Sequence, residues 1–169
     1  MSRQLYFPDT AILITRFMTP DGVGEVTDFM PVTGSRATSH HRLVRLLRVV
    51  RGSMRFVIDV KPRFDYGRQE HHLEITEEGA IFHTDQLELT LHLEGSPGGS
   101  PPELGAPAER IGNDLRIHRT LTEGESAGMV LESGGGRPRR LPDGELERLS
   151  HETAEFWRGW LRKSTYTGR

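Results

Sequence analysis

Residues 53–61 alternate with one exception, Val57: Met54, Phe56, Ile58 and Val60 are apolar, while Ser53, Arg55, Asp59 and Lys61 are polar. A helix cannot sort that pattern onto one side, but a pleated strand sends successive side chains to opposite faces. The stretch is therefore committed to a half-buried sheet. Leu87, Leu89, Leu91 and Leu93 repeat the pattern against Glu88, Thr90 and His92, which predicts another strand with one face in the core and one in water. Further strands are expected at 11–18, 23–30, 42–51, 70–76, 80–84, 114–121 and 127–132. Thr19-Pro20-Asp21-Gly22 has the chemistry of a reversing turn, and Glu77-Glu78-Gly79 makes a second tight connection. Gly52, between 42–51 and 53–61, suggests a long hairpin.

The period changes once, near the end. Leu146, Leu149, Thr153, Phe156, Trp157 and Trp160 fall on one stripe of an amphipathic helix over about 143–163. Two runs rich in glycine and proline, about 95–108 and 133–140, are expected as flexible surface loops, and 31–41 as an exposed one. The chain of 169 residues is long enough for one domain with a real core. The expected fold is all-β: an antiparallel β-sandwich with one C-terminal α-helix, spanning 1–169 as a single domain.

Several functional classes find little support. A formal charge of −2 gives no electrostatic case for nucleic acid or an anionic membrane. Arg42, Arg45, Arg48 and Arg51 recur every third residue, as on a basic helix, but Val44, Val49 and Val50 favour a strand that splits them between two faces. No apolar run approaches a membrane helix, and the first residues lack an export pattern. With no cysteine, disulfides and thiolate metal sites are excluded, which fits a cytoplasmic protein. The pairs His40-His41 and His71-His72 point to opposite faces of a strand and so chelate no single ion; exposed histidine is the expected state. No metal or cofactor is expected. Asp28, in an apolar run, needs donors or an arginine partner.

The segment VKPRFDYGR at 60–68 stands apart, because it gathers Arg63, Asp65, Tyr66 and Arg68 on a short loop after a strand ended by Pro62. Arginine and tyrosine combine directional donors with flat stacking faces, the chemistry of a docking surface or a sugar-facing loop. An Arg-Asp latch that only ties the loop to its own sheet explains the same residues. Phe156, Trp157 and Trp160 likewise suit either a helical core or a sugar-stacking platform.

Taken in order, DFMP at 28–31, PRFDYG at 62–67 and FWRGWL at 156–161 make the chain, from about 4 to 161, resemble the N-terminal (supersandwich-like) β-sandwich domain of glycoside hydrolase family 15, the bacterial glucoamylase and trehalase-like enzymes. The resemblance implies that a further N-terminal stretch and a catalytic (α/α)6 barrel with two glutamates lie outside this chain. No catalytic residue is assigned here, since inverting hydrolysis needs such a pair across the sugar. The expected function is a non-catalytic accessory domain that packs against the barrel, with Arg63, Asp65, Tyr66 and Arg68 facing it and Phe156, Trp157 and Trp160 on a docking helix. A free-standing binding module for α-glucan or trehalose, and an interaction domain without a sugar role, remain the alternatives. An unpaired edge near 11–18 and a bare helix face would favour a homo-oligomer.

Overall fold

The computed structural model describes residues 1–32, 41–94, 108–134 and 136–165. The run 95–107 and most of 31–41 lie outside the described residues. Among the described residues, eleven strands form in the order β1 (Ser2–Tyr6), β2 (Leu13–Met18), β3 (Gly22–Phe29), β4 (Arg42–Val60), β5 (His72–Ile75), β6 (Gly79–His83), β7 (Glu88–Glu94), β8 (Ala108–Ile111), β9 (Asp114–Thr122), β10 (Ser126–Ser133) and β11 (Arg140–Leu141). One helix, α1 (Glu145–Leu161), follows them. The larger sheet runs β1-β2-β3-β4-β10-β7-β6-β5, with β11 added in parallel to β7. The smaller sheet is β4-β9-β8.

β4 belongs to both sheets. Its first half pairs with β3 and β10, and its second half, from Ser53 to Val60, pairs with β9. The hairpin expected at Gly52 is therefore a bend in one continuous strand. A single residue cannot reverse a chain, which takes at least a two-residue loop. Gly52 instead adopts φ +73 and redirects the strand from one layer to the other, opposite Gly22. Three of the hairpins share a threonine at the first turn position: the Thr19, Thr76 and Thr84 amides donate to the carbonyls of Gly22, Gly79 and Leu87, each at 2.9 Å.

The bend folds one layer over the other, so that Phe56, Ile58, Leu115, Ile117 and Leu121 meet Leu47, Val49, Phe82, Leu91 and Leu93 in the main core. On the far side of the larger sheet, Leu146, Leu149 and Ala154 of α1 pack on Ile12, Phe29, Val44 and Val130. Each fully buried leucine there contributes about 1.5–3 kcal/mol. The architecture is an antiparallel β-sandwich with a helix on its outer face, and 42–51 is strand.

Three expectations change. The 11–18 strand is not an edge: β1 pairs with β2 from Ser2 to Tyr6 and covers it. The supposedly wet face of β7 is dry, with Thr90 at 0%, His92 at 2% and Glu94 at 4% exposure. Residues 136–140, within the run expected as a flexible loop, pass over that face. There Thr90 Oγ1 donates to the Gly136 carbonyl and the Arg139 amide donates to His92 Nδ1. Third, His71 and His92 are buried rather than exposed. Because His92 Nδ1 accepts, its Nε2 carries the proton and donates to Glu132 Oε1 at 2.9 Å.

Candidate functional site

Pro62 ends β4, and the next residues divide by role. Arg63 makes a fork-to-fork pair with Asp114 at the start of β9, Nη1 to Oδ1 at 2.8 Å and Nη2 to Oδ2 at 2.9 Å, and also donates to the Pro62 carbonyl. That hydrogen bond holds the Asp114 carboxyl below its ordinary range. Phe64 is buried beside His71, whose ring sits between Phe64 and Phe82 and whose Nε2 lies 2.8 Å from the Asn113 carbonyl oxygen. Arg63 is thus the latch, and Phe64 the plug, of this loop.

The tip is held differently. Asp65 (φ 46, ψ 51) and Tyr66 (φ 56, ψ 31) are both left-handed, and Gly67 follows at φ 82. For the two residues with side chains this costs about 1–2 kcal/mol each. The turn aims Tyr66 outward at 94% exposure, with the Arg68 guanidinium 5.9 Å from its ring and 3.9 Å from Asp65. Of the four residues expected on this surface, Asp65, Tyr66 and Arg68 face solvent, while Arg63, its side chain still 55% exposed, is paired with Asp114.

A second surface lies at the end of α1. The buried stripe of the helix stops at Ala154, and the aromatic residues beyond it are only partly covered, with Trp160 56% exposed. Trp157 stacks edge-on with Phe156 and with Trp160, at 5.5 and 6.0 Å between ring centres. With Tyr6, Phe7, Pro8 and Ala11 these tryptophans line a shallow hollow of about 340 Å³, while Arg158 lies 5.0 Å from the Phe7 ring. The turn opposite is fixed by the Phe7 amide donating to the Ile12 carbonyl and by Thr10 bonding back to Phe7.

Two further ionisable groups matter. Asp28 takes a bidentate pair from Arg45, directly across β3 and β4, at 2.7 and 2.9 Å, which supplies the arginine partner its sequence context demands. Glu94, at the end of β7, points under the first turn of α1 and accepts the Leu146 amide. Burial pushes its carboxyl up to about 7, helped by the nearby charges of Glu147 and Asp143. Its sequence position, continuing the even-numbered set of β7, marks it for the same face as His92, but only the covering helix makes that face dry. Among the described residues, no group of three or more histidine, aspartate or glutamate side chains is placed to hold a metal ion. Among the described residues, no helix is long and apolar enough to cross a membrane.

The fold and these surfaces define a β-sandwich module with outward-facing aromatic patches, each beside a single arginine. The chain belongs to the trehalase-like N-terminal family, whose model matches residues 1–98. A trehalase of Thermoplasma acidophilum is 27% identical over 167 residues, covering 98% of this chain and 27% of that protein. A trehalase of Thermoplasma volcanium is 25% identical over 166 residues, covering 98% of this chain and 25% of its own length. The chain therefore spans about a quarter of the length of these curated relatives.

Proposed function

We propose that this chain is the accessory, non-catalytic domain of a trehalase-type α-glucosidase of glycoside hydrolase family 15, and that it docks on a catalytic (α/α)6 barrel through the end of α1. The observation that carries the reading is the partly bare cluster of Trp157 and Trp160 against Tyr6 and Phe7, on a chain that matches trehalases along 98% of its own length and 27% of theirs. A contiguous apolar patch of this kind is the usual mark of a covered surface. The PRFDYG tip serves as a second contact, where Tyr66 and Arg68 offer a stacking face and a planar cation.

The test is to mix the purified chain with the part of the Thermoplasma acidophilum trehalase outside the matched segment. The expected result is a complex that shifts tryptophan fluorescence and is lost on Trp160→Glu, while the chain alone releases no glucose from trehalose or maltose. Self-association through the same tryptophans, with no affinity for the trehalase segment, would instead make the surface a homo-oligomer interface. Glucose release by the chain itself would overturn the accessory reading.

A further inference from the structure

The backbone of β4 is open along one side of its second half. The Ser53 amide donates to the Asp21 carbonyl, away from β9, whereas the Gly52 carbonyl accepts from Glu123 on the β9 side. Successive backbone groups of a strand point to alternate sides. The amides and carbonyls of Arg55, Val57 and Asp59 therefore point off the sheet, and they form no hydrogen bond among the described residues. Their side chains face solvent, with Val57 53% exposed, while Phe56 and Ile58 face the interior.

Beneath this edge the two layers do not close. A hollow of about 400 Å³ lies between Met54, Phe56 and Ile58 above and Gln4, Thr15, Val26 and Leu47 below. A second, of about 270 Å³, continues past Ile58 and Val60 to Phe64. Arg45 borders both. It uses Nε and Nη2 on Asp28, and its Nη1 donors have no partner among the described residues. Since Asp28 already neutralises Arg45, an uncharged acceptor suits those donors better than a second carboxylate.

We propose that the open edge at Arg55, Val57 and Asp59 accepts one extended strand of another polypeptide, with apolar side chains at alternate positions and a hydroxyl-bearing residue opposite Arg45. Strand addition of this kind gains main-chain hydrogen bonds from the edge and specificity from pockets that receive every second side chain. The two hollows, on either side of Arg45, supply those pockets. A lone strand needs only about 4.8 Å beside β4. The inference does not depend on the trehalase relationship.

The probe is a capped nonapeptide with valine at odd positions except a central threonine, and serine or lysine at even positions. Two further versions carry backbone N-methyl groups at either the odd or the even positions. The expected result is binding that slows exchange of the Arg55, Val57 and Asp59 amides, survives one methylated set and is lost with the other. Val57→Pro should weaken binding by roughly tenfold or more without unfolding the protein, since its amide takes no part in the ladder with β9. The methylated pair decides the matter even if that variant fails to fold. Equal affinity of both methylated peptides, or no change at these amides at millimolar probe, overturns the proposal. Self-association of the chain with protection of these same amides in the absence of probe would make a second copy the occupant and overturn the proposal.

Discussion

Glu94 Oε1 accepts the Leu146 amide at 3.2 Å, so a strand residue caps the helix that the local sequence leaves uncapped. The N-cap position is Gly144, at φ 78, with no side chain to offer. A carboxylate beneath a helix N-terminus is favoured by the helix dipole but opposed by burial, and here burial prevails.

This balance fixes a pH dependence. The folded value of about 7 lies above the ordinary 4.5, so the stability tied to neutral Glu94 is fully present below about 4.5 and is lost as pH rises through 7. At about 1.36 kcal/mol per pH unit that loss approaches roughly 3 kcal/mol. Glu94→Gln keeps an acceptor for Leu146 without a charge. Urea unfolding at pH 5 and pH 8 should show the wild type losing more stability at the higher pH than the variant does, and parallel losses would refute the assignment.

Gly52→Ala should be among the most damaging small changes in the chain. A Cβ there would lie 2.2 Å from the Asp21 carbonyl oxygen, at a backbone angle that L residues rarely adopt. The shift required would disturb the point where β4 leaves one layer for the other, at a cost of about 2 kcal/mol or more. A thermal midpoint unchanged from wild type would show that the bend does not need glycine.

Arg63→Ala should free the loop without unfolding the domain. The Arg63 side chain is 55% exposed, so solvent screens its pair with Asp114 and the loss of overall stability should be small. Hydrogen exchange at Arg68 and Gln69, whose amides bond to Asp65 and Phe64 across the turn, should quicken. The effect should also emerge in the wild type as acid protonates Asp114, whose depressed carboxyl loses its stabilising pair as pH falls. Unaltered exchange in the variant would mean that Phe64 alone holds the loop.

Tyr66→Gly should leave stability level or slightly higher. Relief of the left-handed tyrosine offsets the extra freedom that glycine gains when unfolded, each worth about 1 kcal/mol. A clear loss of stability would reveal that the exposed ring makes contacts within the domain. Affinity for the trehalase segment, measured alongside, should fall if the tip is a contact.

Period and turn chemistry made most of the strands legible in advance. The alternation around Phe56 and Ile58, the Thr19–Gly22 turn and the helical stripe through Leu146 and Leu149 are local properties, set by which side of a pleat or helix each residue occupies. The family motifs added the module to which such a sheet belongs. β1, β8 and β11 carry weak patterns, because such short strands, mostly exposed in β1 and β8 and only two residues long in β11, owe their state to neighbouring ladders rather than to their own composition.

Only the tertiary structure decided the remainder. Gly52 reads as a hairpin turn until β3, β10 and β9 pair with the one strand that runs through it. The polar face of β7 reads as wet until 136–141 and α1 close over Thr90, His92 and Glu94. Arg63 reads as a docking residue or a latch, and its acidic partner is not legible until the fold brings Asp114, fifty-one positions away, against its fork. Burial and long-range pairing depend on what the rest of the chain brings to the same place, which no local pattern of residues can specify.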